Sequence, residues 1–301
     1  MQKETKLKEV QTKMTDKKNE LKIDGIYTAR DLYTDVMDLY AGKTFKQYSV
    51  GFKDLEPYLK ILKPSFNIFT GTPNSGKSSL TLDIMMRLAK SDNMKFLLFS
   101  PESELGVNLQ RVIEKYLHKP FASVFPNRAT EKEVVEALKF IQEHFYFVDR
   151  KGGLPDVDWI LERAKFCVDN YNIDGLLIDP YNELSPMRTL REDEHISMLI
   201  SKIKRFNRET NTITFLVAHP TKQIRNAEGK FEVKSAYDIS GGAMFNNKGD
   251  TIAIVTRDFE NHVTQVRICK VREDTIQGSI GECTLRFNPQ TRCYEDTGFV
   301  Y

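Results

Sequence analysis

The eight residues GTPNSGKS at 71–78 constrain this chain more than any other stretch. They satisfy G-x-x-x-x-G-K-[ST] at each fixed position, with an apolar run at 66–70 before them and a helical pattern at 79–89 after them. A phosphate-binding loop requires that order of strand, loop and helix. Gly71 and Gly76 let the backbone curl until successive N–H groups and the helix N-terminus converge on a phosphate. Lys77 supplies a cation for the β- and γ-phosphates, and the Ser78 hydroxyl is placed to ligate Mg²⁺. Thr72, Pro73, Asn74, Ser75 and Ser79 complete the candidate nucleotide-binding set. The expected ligands are ATP, or another nucleoside triphosphate, and Mg²⁺.

Around this loop, apolar runs alternate with helical patterns. Strands are expected at 95–100, 145–148, 175–179 and 212–218, and helices at 105–117, 130–144, 154–170 and 191–209, the second helix opened by a Thr130/Glu133 capping box. The run GLLID at 175–179 has no polar alternation, which is the pattern of a strand covered on both faces. Three further strands near 251–256, 263–271 and 282–287 close the chain. This order predicts an α/β fold with a mostly parallel central sheet and antiparallel strands at its C-terminal end. A length of 301 residues suits one principal domain, placed at 48–301, with an N-terminal extension. Residues 1–27 read as a charged arm, and 28–47 as a linker. Within the linker a Thr28/Asp31 capping box leads into Leu32, Val36, Met37, Leu39 and Tyr40 at helical spacing, with Gly42 placed to end the helix. So short a helix is marginal alone and needs a surface to pack on.

Composition excludes several classes. A net charge of +2 rules out a globally basic nucleic-acid binder, so phosphate-backbone contacts have to come from local patches or from copies arranged about an axis. Cys167, Cys269, Cys283 and Cys293 show no metal-binding spacing and read as reduced core residues. The longest apolar runs are too short to span a bilayer, so a soluble, intracellular protein without membrane contact is expected.

Polar residues that end apolar strands carry the remaining chemistry. Asp179 follows its strand about a hundred residues after the loop, where an acid would hold Mg²⁺ directly or through water. Glu102 lies just beyond the end of its strand, on the edge where open α/β sheets bind ligands, and is a candidate base for the water that attacks the γ-phosphate. Glu104 and Glu183 compete for that role. His219 ends the 212–218 strand and is placed to sense the γ-phosphate. The connection at 221–249 is too long for a plain linker. It carries Lys222, Arg225, Lys230, Lys234 and Lys248, with Gly241 and Gly242 as a joint, and is a candidate contact for a nucleic-acid backbone. Lys270 and Arg272, two apart at a strand end, share a face and are candidates to serve a phosphate on a neighbouring subunit.

The runs IDPYNEL at 178–184, KIKRF at 202–206, LVAHPTK at 216–222, YDISGGAMFNNKGD at 237–250 and CKVR at 269–272 together resemble the helicase domain of the Twinkle and phage primase-helicase branch of the DnaB family. The resemblance covers residues 48 to the C-terminus. It implies a RecA-like core, a homo-oligomeric ring of about six subunits, ATP at the subunit interfaces and 5′ to 3′ translocation on single-stranded DNA. It also implies Glu102 as catalytic base, His219 as γ-phosphate sensor, Arg272 as arginine finger with Lys270 beside it, and the 28–42 helix as a linker packing on the next subunit. Asn247 falls in the same motif as Lys248, on the expected DNA-contacting side. Two positions depart from the pattern: Gly242 stands where a small hydroxyl residue is expected, and the acids Glu273 and Asp274 follow Arg272. With no primase domain ahead of the linker, a separate primase or loader is expected, in a bacterial or phage-infected host cytosol. Two alternatives remain at this stage: a RecA-like recombinase or mediator that coats DNA as a filament, and a non-catalytic nucleotide-binding adaptor.

Overall fold

The computed structural model describes residues 25–43, 46–185, 191–220, 224–225, 231–233, 235–239 and 242–298. These fall into two units, divided between Phe45 and Lys46. In the first, α1 spans Tyr33–Tyr40 and buries none of its residues. It is shorter than expected: Thr28 and Asp31 do exchange the two hydrogen bonds of a capping box, but the chain then passes through turns before the helix begins.

In the second unit, β1 (Gln47–Ser49) and β2 (Lys60–Leu62) form a separate antiparallel pair. A nine-stranded sheet follows. Its strands are β3 (Ser65–Thr70), β4 (Phe96–Phe99), β5 (Phe145–Val148), β6 (Gly175–Ile178), β7 (Ile213–Ala218), β10 (Thr251–Asp258), β11 (Val263–Val271), β12 (Gly281–Phe287) and β13 (Tyr294–Asp296). Across the sheet the order is β13, β12, β11, β10, β3, β7, β6, β4, β5. The six from β10 to β5 run parallel, and β11, β12 and β13 extend the sheet antiparallel, as the sequence predicts. The continuous apolar character of the central strands has its cause here: all six residues of β3 and of β7 are buried.

Helices cover both faces. On one lie α2 (Lys77–Asp92), α3 (Leu105–Leu117) and α4 (Glu131–His144), whose buried residues join one core cluster with Phe69, Leu98 and Phe215. On the other lie α5 (Val157–Tyr171), α6 (Glu192–Thr210) and α7 (Gly242–Lys248), which enclose Ile68, Phe99, Ile178 and Leu216. Local signals set the ends. Thr130 and Glu133 form the full capping box of α4, and the Asp156 carboxylate accepts the Trp159 N–H, so α5 starts later than the periodicity alone suggests.

The described residues of the 221–249 connection include regular elements. It contains the two-residue strands β8 (Ile224–Arg225) and β9 (Phe231–Glu232) and the whole of α7. A Cβ at Gly242 would lie 2.5 Å from the Ala236 carbonyl oxygen, which leaves no room for the hydroxyl side chain expected there. Glu273 and Asp274 open α8 (Asp274–Gln277), where acids suit the positive end of the helix.

Candidate nucleotide-binding site

Four adjacent strands bring the candidate residues to one edge of the sheet. In sheet order β3 ends in the phosphate loop, β7 in His219, β6 in Asp179 and β4 is followed by Glu102. Register places Thr70 beside Ala218, and Ile178 beside both Leu216 and Phe99, so the polar residues that follow emerge at nearly one level. A cleft of about 650 Å³ opens there, lined by the loop, Glu102 and His219.

The loop has the backbone it needs. Gly71 sits at φ +152° and Gly76 at φ +92°, and a Cβ on Gly71 would come within 2.1 Å of the Val255 carbonyl oxygen. Lys77, the first residue of α2, donates to the carbonyls of Gly71 at 2.9 Å and Thr72 at 2.8 Å. Burial lowers its pKa to about 8, against the pull of Asp179 and Glu102. The Ser78 hydroxyl donates to Asp179 Oδ1 at 2.9 Å. Burial pushes the Asp179 carboxyl up to about 6, with the Ser78 bond and Lys77 opposing. A hydroxyl and a buried carboxylate in contact beside a phosphate loop form an all-oxygen donor set that suits Mg²⁺. No cluster of three or more metal-ligating side chains occurs among the described residues, as expected where the phosphates and water supply the other ligands.

Glu102 is more than half exposed, and its Oε1 lies 3.7 Å from His219 Nε2. Burial, reinforced by Lys77, lowers the His219 pKa, while Glu102 acts in the opposite direction. The neutral imidazole can donate or accept a hydrogen bond at that edge. The His219 N–H also faces Asn182 Oδ1 at 3.4 Å. Of the competitors, Glu104 stands at the N-cap position of α3 without a side-chain capping bond, and Glu183 lies in a short helical turn after Asp179.

Sequence reasoning missed several residues of the cleft. Arg111 and Lys115 lie four apart on α3 and face the cleft, a spacing that was readable as one helix face. The Lys115 ammonium is almost completely buried. It bonds Ser79 Oγ at 2.8 Å and the Arg292 carbonyl, and pairs with Asp83 at 3.4 Å. Arg257, near the end of β10, obeys the same strand-end rule as Asp179; its guanidinium lies 3.5 Å from the Phe287 ring centroid and donates to the Tyr294 hydroxyl. Phe259 and Pro289 line the same cleft.

Lys270 and Arg272 lie elsewhere. Val271 pairs with Thr251, and Thr251 with Asn67. The end of β11 is therefore at the opposite edge of the sheet, about 13 Å along β3 from the phosphate loop. Lys270 donates to the carbonyls of Asn246 and of Asn247, the latter at 3.2 Å. Arg272 Nη2 reaches those of Asn247, Lys248 and Gly249 at 3.2 to 3.4 Å. Both cations thus sit at the C-terminus of α7, where the helix dipole favours them. The Lys248 ammonium is held on α6 by Ser197 Oγ and Ser201 Oγ, each at 2.7 Å. Lys222 and Lys234 lie outside the described residues, and Arg225 is described only as backbone in β8.

A phosphate loop, an acid and a histidine on neighbouring strand ends of such a sheet define a RecA-like P-loop domain. Residues 48–296 match the DnaB-like helicase C-terminal domain, and the chain belongs to that family. It is 35% identical over 288 residues to the Twinkle homolog protein, chloroplastic/mitochondrial, of Arabidopsis thaliana, a match covering 91% of this chain and 40% of the plant protein. A probable plasmid replicative DNA helicase of Chlamydia trachomatis is 20% identical over 251 residues, covering 82% of this chain and 54% of that protein. The chain thus spans about half, or less, of these relatives' length. Among solved structures, a separately solved ATPase domain superposes with a TM-score of 0.76 at 17% identity, over 91% of this chain and 99% of that one. A DnaB-like replicative helicase, solved in a study of its interactions with primase, gives 0.71 at 17% identity, over 97% and 70%. Both have the same fold.

Proposed function

We propose that this chain is an ATP-hydrolysing DNA helicase domain that assembles into a ring, expected to be a hexamer, and translocates 5′ to 3′ on single-stranded DNA. The observation that carries this reading is the convergence of the phosphate loop, His219, Asp179 and Glu102 on four adjacent strand ends in a chain of the DnaB-like family. The names of the chlamydial and solved relatives, with their references to a replicative helicase and to primase, support DNA as the track and a primase as a partner. The four free cysteines fit a reducing compartment, which we propose is a bacterial or phage-infected cytosol; the plant relative is named for an organelle.

In this reading Gly71–Ser79 backbone N–H groups hold the triphosphate, and Lys77 leaves its loop carbonyls for the β- and γ-oxygens. Ser78 and Asp179 hold Mg²⁺, which neutralises charge on the phosphate oxygens when bound. Glu102 takes a proton from water as its oxygen bonds to the γ-phosphorus and the bond to the β-γ bridging oxygen breaks; ADP leaves with the electron pair. His219 meets the γ-phosphate and links its presence to the 221–241 segment. Arg272 lies too far from its own loop, so it completes the site of the adjacent subunit, where it stabilises charge on the transferring phosphoryl group. The exposed apolar side chains of α1 and the turn before it, among them Leu32, Val36 and Tyr40, are the linker surface for a neighbouring subunit.

Glu102→Gln tests the assignment of the base: the variant keeps ATP affinity and loses DNA-stimulated hydrolysis, since an amide retains the shape but accepts no proton. If Glu104→Gln shows that behaviour and Glu102→Gln does not, the base is Glu104.

A further inference from the structure

Asp250 stands between the candidate finger and the rest of the subunit. It is the residue before β10, and its side chain is 15% exposed. One carboxylate oxygen, Oδ2, accepts the Phe66 N–H at 2.9 Å. The other, Oδ1, lies 2.8 Å from Arg272 Nε and also accepts from Lys204 of α6. The backbone repeats the tie: Asp250 N–H donates to Phe66 O at 3.0 Å, and Arg272 N–H to Asp250 O at 2.8 Å. The carboxylate on one side and the α7 carbonyls on the other thus hold a guanidinium that is 43% exposed. A long arginine side chain left unrestrained would sample many rotamers, and these contacts confine it.

We propose that Asp250 is the positioning residue of the arginine finger: its carboxylate holds the Arg272 guanidinium against the C-terminus of α7, so that each subunit presents a preformed cation to its neighbour's nucleotide. This rests on the reading of Arg272 as a finger acting in trans. Asp250 lies beside Arg272 at the sheet edge opposite its own phosphate loop. Its effect is therefore carried to the next site in the ring. A purely structural role would do the reverse, because through Phe66 the same carboxylate supports β3, the strand that ends in this subunit's own phosphate loop.

Asp250→Asn separates the two. The amide oxygen still accepts the Phe66 N–H, and the amide nitrogen, a donor, then faces Lys204 and Arg272, so the fold is kept while the hold on the guanidinium is lost. Rings of the variant alone should show kcat reduced about 10- to 100-fold, the range expected for a misplaced charged group, with KM for ATP within about twofold. The deciding measurement mixes Asp250→Asn with inactive Lys77→Ala. A Lys77→Ala subunit donates an intact finger to an Asp250→Asn subunit whose phosphate loop is intact, so activity per intact loop should return to roughly half the parent value at equal mixing, as random neighbours dictate. Arg272→Ala mixed with Lys77→Ala is run in parallel. Recovery in both mixtures supports the proposal. Recovery with Arg272→Ala alone overturns it, placing Asp250 in cis under β3. Recovery in neither, with mixed rings demonstrated, removes the trans finger and the proposal with it. Should Asp250→Asn not fold, Asp250→Glu keeps the charge but displaces it by one methylene, and the same trans pattern with a smaller loss is required.

Discussion

Replacing Asp179 by Asn measures what the buried carboxylate, proposed to hold Mg²⁺, costs the protein in the absence of ligand. Asp179 is 5% exposed, and burial raises its pKa from 3.8 to about 6 despite the Ser78 hydrogen bond. A carboxyl raised in the folded state is most at ease when protonated, so the native protein carries a penalty wherever it is ionised. Two pKa units at about 1.4 kcal/mol each set an upper limit of about 3 kcal/mol above pH 6, relieved as pH falls from 6 towards 4 and absent below that. Asn bears no such penalty at any pH and still offers Ser78 an acceptor. At pH 7.5, with chelator and no nucleotide, the variant should therefore unfold about 5 to 10 °C above the parent, the shift expected of 3 kcal/mol in a domain of this size. At pH 4.5 the gap should shrink to about a third of that. Thermal unfolding at fixed protein concentration reads both values, since assembly would otherwise shift the midpoint. An Asn variant melting at or below the parent at pH 7.5, or keeping its full advantage at pH 4.5, refutes the reasoning.

Three further outcomes are expected. Lys77 has a pKa near 8 from burial, and a triphosphate favours its charged form, so affinity for a non-hydrolysable ATP analogue should fall above pH 8 by up to about tenfold per pH unit. Calorimetric titration between pH 7 and 9.5 checks this, and Lys77→Met should flatten the profile; a flat parent profile contradicts it. Lys222, Arg225 and Lys234, changed together to Ala, should lower the slope of log K against log salt for single-stranded DNA by about 2, near 0.7 per lost cation. Lys248→Ala, whose ammonium is already held by α6, should leave that slope unchanged.

Much of the site was legible because a strand buried on both faces is a continuous apolar run, and its first polar residue marks the sheet edge. Asp179 and His219 were found in this way, and Glu102 by its place just past such a run. Arg257 was missed although it lies near the end of β10, since nothing local says that β10 lies beside β3; that pairing joins residues nearly two hundred apart. The contacts of Lys115 with Arg292 and of Asp83 with Tyr294 are similarly distant in sequence, so the shared face of Arg111 and Lys115 carries no sign of what it meets. Short elements also escaped. The three-residue β1, β2 and β13 hold too few positions for alternation to show, and α7 is hidden in a connection rich in Gly, Asn and Lys. The Thr28/Asp31 signal was read correctly as a local hydrogen-bonded box, but the backbone after it makes turns before the helix begins. Lys270 and Arg272 share a face as spacing required; only the fold shows that this face meets the end of α7.

The central claim is that hydrolysis at these strand ends drives the chain along one DNA strand and displaces its complement. Forked duplexes with a single 5′ or a single 3′ loading tail, incubated with Mg²⁺ and ATP, test it most directly. Displacement should require the 5′ tail and hydrolysable nucleotide and be absent in Lys77→Ala. Displacement that requires the 3′ tail, or none with either fork while ATP is hydrolysed, would contradict it.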